Sequence, residues 1–238
     1  MKNYKNIINI TLKELKGFFY SPIAYIVIVF FLGLVGFFFF SSFFLYKQAE
    51  LRGFFSLLPL TFSIFIPALT MKLFSEEFSK GSFEIIATMP LKINDIIIGK
   101  FLATLTFITL MLIPTFSYVI FIAFIGDLDF GPIIGGYLGA VLLGGAFASI
   151  GLLASALTKN QIISLIIGII ISFALTMFDK LLVFFPTKIV NFLQYIGADF
   201  HFQNIAKGII DSRDIIYFLS VIIISLFITK FTIQQKTV

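Results

Sequence analysis

Long apolar runs alternate with short polar stretches along this chain. Six runs, Pro22–Tyr46, Phe54–Met71, Phe101–Gly126, Pro132–Leu157, Gln161–Phe178 and Ile215–Ile233, come close to or exceed the ~20 residues that a helix needs to cross a bilayer core of ~30 Å. None alternates with period 2, so they predict membrane-spanning helices and not a barrel. Lys230 interrupts the sixth near its end, where a lysine can snorkel to the headgroups. Ahead of the first run, Asn3–Phe19 predicts a helix lying on the membrane. Tyr4, Ile8, Leu12, Leu15 and Phe19 make an apolar stripe at helical spacing, and Lys2, Lys5, Asn9, Lys13 and Lys16 line the other side. Ser21 then serves as N-cap and Pro22 opens the first span.

Between the second and third runs lies one charge-dense island, Lys72 to Lys100, with four acidic and four basic side chains. It is too polar to lie in lipid, and both flanking runs are free of charge. Gly81 frees the backbone for a turn, Ser82 caps a short transverse helix Phe83–Met89, and Pro90 stops it. Asn94-Asp95 caps the next span, with the aspartate favoured by the helix dipole. Glu76-Glu77 falls at the C-terminal end of a span and opposes that dipole, at a cost of about a few tenths of a kcal/mol each. A basic group on the N-terminal helix or on a partner should compensate; otherwise the pair is a solvated boundary marker.

The fourth run is rich in small residues. Gly136, Ala140, Gly144 and Ala148 recur every four positions and predict a close-packing face, within the subunit or at a dimer seam. Pro114 should kink the third span. From Asp179 to Asp214 the chain is half-apolar but broken at Pro186, Gly197, Asp199 and Gly208. Short helices at Leu181–Phe185 and Ile189–Ile196, dipping into the outer leaflet, fit this segment. The run Phe37–Phe40 reads as lipid-facing bulk. One membrane domain covers residues 1–238.

Composition agrees: 59% apolar and 12% charged residues, against about 45–50% and about 25% in soluble domains, with a mean hydropathy of +1.08. With the N-terminus inside, eleven of the 17 basic residues fall on the inner side and six on the outer, which places both termini in the cytoplasm. The net charge of +5 is then a topology signal, with no nucleic-acid footprint. The first run is too long for a cleavable signal peptide. No cysteine is present, which removes disulfides and thiolate metal sites. No G-x-x-x-x-G-K-[ST] occurs, so the chain should not hydrolyse ATP itself, and it should bind no cofactor or metal. No ionisable group falls in the middle of a span, where ion-coupled transporters usually carry one. E-E-F-S-K-G looks superficially like the glutamate motif of CAAX-type intramembrane proteases, but the arginine is missing and the only histidine, His201, lies in the outer segment. His201 should be a packing or hydrogen-bonding residue.

Glu76-Glu77-x-x-x-Gly81-Ser82-x-Glu84, then Met89-Pro90 and Gly99-Lys100, resembles the E-E-x-x-x-G-[TS]-x-E…P…G-K pattern of ABC-2 type permeases, the membrane subunits of O-antigen and lipid exporters. S-P-I-A-Y-I-V and H-F-Q-N-I-A-K-G-I-I-D-S-R-D-I-I-Y-F-L-S look closest to the gliding-motility-associated permeases. The resemblance implies an all-α membrane protein of a bacterial inner membrane. It would have six transmembrane helices, an N-terminal interfacial helix (1–20), a cytoplasmic coupling segment (72–100) and short external helices (179–214). Two such permeases, identical or different, would pair with two ATPase subunits that use ATP and Mg. The helix carrying Phe83, Ile85, Ile86 and Met89 would seat in the ATPase, while Glu76-Glu77 would tie the span end to the N-terminal helix. Cargo would be exported, with a link to gliding motility. The rival expectation is a non-transporting scaffold subunit of a larger assembly.

Overall fold

The computed structural model describes residues 2–46, 51–84, 91–126, 129–181 and 194–237. The helices are α1 (Lys2–Tyr20), α2 (Pro22–Tyr46), α3 (Arg52–Thr70), α4 (Lys72–Ser79), α5 (Ile93–Leu112), α6 (Phe116–Ala123), α7 (Phe130–Leu157), α8 (Gln161–Leu181), α9 (Ala198–Ala206) and α10 (Ser212–Thr237). Single 3-10 turns lie at Ile113–Thr115 and Gln194–Ile196, and no strand occurs among the described residues. Among the described residues, six helical runs are long and apolar enough to cross a membrane, with α3–α4 and α5–α6 each forming one of them. The protein is an all-α, multi-pass membrane protein.

α7 is the hub. It packs against α3, α5, α8, α9 and α10, and 78% of its span is enclosed, against 17% for α10. Its small residues explain this. A Cβ on Gly136 would enter the Phe55 ring of α3, and one on Gly144 would lie 2.9 Å from Ile108 of α5. Ala140 and Ala148 are fully buried between them. The four-residue repeat is therefore a packing face within the subunit. On another side of the helix, Gly135 meets the Ile205 carbonyl of α9, while Gly151 continues the same face to Thr70 of α3. Without side chains in the way, backbones approach closely and gain dispersion contacts that lipid tails cannot supply.

Pro114 interrupts the third span as expected, by a 3-10 turn between α5 and α6. Ser21 caps α2 through the Ile23 amide, which donates to its Oγ at 3.4 Å. The island, in contrast, is shorter than the sequence suggests. α4 carries the second span on to Ser79, and α5 begins at Ile93, so Lys100 is the eighth residue of the third span. Polar helical turns can project past the bilayer without unwinding. Asn94 and Asp95 lie inside α5 instead of capping it; Lys92 holds the N-cap position with no side-chain bond, while Asp95 does occupy the first turn.

In the outer segment, residues 182–193 are outside the described part, including Leu181–Phe185 beyond its first residue. Asp199 does not break the chain: it is in the first turn of α9, where an acid suits the dipole. α9 is buried against α7 through Phe202 and Ile205. The Phe37–Phe40 run splits, because successive helix positions face different ways. Phe37 and Phe38 are exposed, whereas Phe39 is buried and stacks on Tyr118 at 5.2 Å.

α1 has three faces, not two. At about 100° per residue, the exposed Tyr4, Ile8 and Leu12 fall on one sector and Lys5, Lys13 and Lys16 on a second. A third, with Ile10, Thr11, Glu14 and Phe18, packs on the start of α5. Lys236, near the end of α10, donates to the Ala156 carbonyl at the end of α7, so both termini share the island end of the molecule.

Candidate functional site

The base of the island is organised around Lys100. Gly99 precedes it because α1 crosses α5 there: an added Cβ would lie 2.6 Å from Ile10, and Thr11 Oγ1 donates to the Gly99 carbonyl at 3.2 Å. The close crossing brings α1 beside the lysine. Lys100 is 1% exposed, and its ammonium donates to Glu77 Oε1 of α4 at 2.7 Å, Glu14 Oε1 of α1 at 3.0 Å and the Leu73 carbonyl at 2.8 Å. Those three bonds use all three N–H groups of the ammonium. The Phe74 ring centroid lies 5.1 Å away. One buried cation thus joins three helices, whose participating residues lie 23 and 86 positions away in sequence.

The compensation expected for Glu77 is therefore supplied from within the chain by Lys100 of the third span; α1 contributes an acid, Glu14. Glu76 is separate. It pairs with Lys80 at 2.5 Å on the exposed side of α4, a contact that stabilises by about 0.3–0.5 kcal/mol.

α4 is held elsewhere too. Ser155 of α7 accepts the Phe74 and Ser75 amides at 2.9 and 3.0 Å and donates to the Met71 carbonyl at 2.9 Å. It bridges the step between α3 and α4. Lys236 lies 4.7 Å from the Phe78 ring centroid. α4 is thus clamped by helices from both ends of the chain.

Beyond α4, Gly81 adopts φ +68°, the left-handed turn expected of it. Residues 82–84 are helical. Ser82 lies within this turn, and its hydroxyl donates back to the Glu77 carbonyl at 3.4 Å. Phe83 is buried against Phe78, centroids 4.9 Å apart, so it anchors the turn to α4 and is not presented outward. Glu84 is exposed. Ile85, Ile86, Met89 and Pro90 lie outside the described residues, as does most of the transverse helix.

The structure brings together Glu77, Ser82, Phe83 and Lys100, leaves Glu76 and Glu84 at the surface, and places Gly136, Ala140, Gly144 and Ala148 in the core. Glu14, Ser155 and Lys236 were not anticipated. Glu14 alone had a visible sign, being the sole acid before Glu50.

At the opposite end, His201 is buried. Its Nδ1 is 2.6 Å from Asp214 Oδ1, its Nε2 is 2.9 Å from the Tyr195 carbonyl, and the ring stacks on Tyr217 at 4.1 Å. The histidine ties α9 to α10. No metal-binding group of His, Cys, Asp and Glu occurs among the described residues.

Six apolar spans around a small-residue hub define a membrane protein of permease-like architecture. Compared with family models and with curated proteins, the chain matches none.

Proposed function

We propose that the chain is the membrane-spanning subunit of an ATP-driven exporter of the ABC-2 type. In this reading it pairs with a second permease and with two separate ATPase subunits that bind ATP and Mg, and the island lies on the cytoplasmic face of a bacterial inner membrane. The observation that carries the reading is the Lys100 cluster. A force applied to residues 80–92 reaches α4 and α5 directly, and Lys100 and Glu14 pass it to α1. A surface loop with no mechanical role has no need of such a joint.

Closure of the ATPases would displace this block as a rigid body, switching the spans between two packings. Nucleotide shifts that balance only by favouring one packing over the other. The resemblance in the island supports the ABC-2 assignment, and the flanking motifs resemble the gliding-motility-associated permeases. The test is Glu76→Ala plus Glu77→Ala in proteoliposomes with the ATPase. ATP hydrolysis should continue while transport falls, with membrane insertion unchanged. Normal transport by the double variant sinks the coupling role given to the pair, whereas no transport by the wild type favours the scaffold reading.

A further inference from the structure

A recess of about 570 Å³ opens between α1, α4 and the starts of α2 and α8, directly beside the Lys100 cluster. Its charges are unevenly used. Glu76 takes Lys80, and Glu14 and Glu77 share Lys100. Lys13 is only 3.8 Å from an already engaged Glu14. Lys72, half-buried, lies 5.6 Å from the Phe18 ring centroid, and no carboxylate comes within ion-pair distance of it among the described residues. On the acidic side, Glu77 Oε2 is buried and without a hydrogen-bond partner among the described residues. The recess therefore offers two under-used ammonium groups and one idle carboxylate oxygen.

We propose that this recess binds the headgroup of a zwitterionic phospholipid with a primary ammonium, the phosphoethanolamine type. Lys72 and Lys13 hold the phosphodiester, and the Glu77 carboxylate turns its enclosed Oε2 into the recess to accept from the ammonium. Free phosphate would satisfy the lysines and leave the carboxylate oxygen idle. The volume admits such a headgroup with bridging waters. Its position also suits a lipid. The apolar sector of α1, exposed at Tyr4, Ile8 and Leu12, places that helix in the membrane interface. Ile26 and Val29 of α2, beyond Ile23, and Ile162 and Ile166 of α8, beyond Gln161, are exposed, so the two helices that border the recess offer acyl chains apolar surface. A lipid seated here would wedge between α1 and α4, the two helices that Lys100 ties.

The site is independent of ATPase docking, and either reading can fail alone. The test is native mass spectrometry of the full chain extracted from vesicles of phosphatidylethanolamine, phosphatidylglycerol or phosphatidylcholine. Wild type should retain phosphatidylethanolamine above the other two, since a glycerol headgroup has no ammonium and a choline no N–H. Lys72→Ala should lower occupancy about fivefold, and Lys13→Ala plus Lys72→Ala about thirtyfold. Lys72→Arg should keep the lipid, which separates lost charge from lost fold. Equal retention by wild type and the double variant overturns the site, as does loss in the arginine variant. Retention of phosphatidylglycerol at the same level also overturns it. Wild type that retains inorganic phosphate but no phosphatidylethanolamine overturns the lipid as occupant.

Discussion

Each end of the molecule holds a buried hydrogen-bonded cluster, and the two differ in what they connect. At the outer-segment end, His201 and Asp214 are 13 residues apart and fasten one short helix, α9, to its successor. At the island end, Lys100 joins residues 23 and 86 positions away, one on the helix before α5 and one on the N-terminal helix. The first contact closes a local corner. The second makes one body of the N-terminal helix, the end of the second span and the start of the third. In the proposed function, the second is the one that would carry displacement from a loop into the spans.

The largest effect should come from Lys100→Met. It leaves Glu14 and Glu77 facing each other with their shared cation gone, and breaking a buried pair this way costs about 3–5 kcal/mol. Lys100→Met with Glu14→Gln and Glu77→Gln removes the stranded charges and should recover most of that loss. Denaturation in detergent measures both. Hydrogen exchange should rise in α1, α4 and α5 in the single variant and stay unchanged in α9. Equal exchange at both ends would erase the distinction between the clusters.

A smaller and more local loss is expected from Asp214→Leu, which strips His201 Nδ1 of its partner. About 1–3 kcal/mol is the usual cost of a buried polar group left alone. Exchange should rise in α9 and the first turns of α10, with the island end unaffected. Faster exchange in α4 would show that the far pair is coupled to the island after all.

How much of this was readable beforehand follows from what lipid selects. The six spans stand out because a bilayer filters composition, and α7 stands out because close helix packing filters for small side chains. Turn chemistry was readable at Gly81, Ser21 and Pro114, where backbone geometry permits few alternatives. The ends of α4 and α5 were not. A charged helical turn beyond the membrane has the composition of a loop, so Lys100 read as the last loop residue. Nor does a charge announce its partner: Lys100 was visible in the Gly99-Lys100 pattern, yet its bond to Glu14 depends on how α1 crosses α5. The three faces of α1 were blurred for a related reason, since Ile10 and Phe18 against protein look the same in sequence as Ile8 and Leu12 against lipid.

The least perturbing variants sharpen the comparison furthest, because they separate the joint from the surface it serves. Glu76 and Glu77 are adjacent, but only Glu77 belongs to the buried cluster; Glu76 holds an exposed pair with Lys80. Glu76→Ala should change stability by no more than about 0.5 kcal/mol. Glu77→Ala leaves Lys100 its bonds to Glu14 and the Leu73 carbonyl and should loosen α4 without unfolding it. If force passes through the cluster, Glu77→Ala should account for most of the transport lost by the double variant, with ATP hydrolysis continuing. Glu76→Ala should then transport nearly as well as wild type. The reverse order would mean that the surface of α4, and not the buried joint, is where the partner acts.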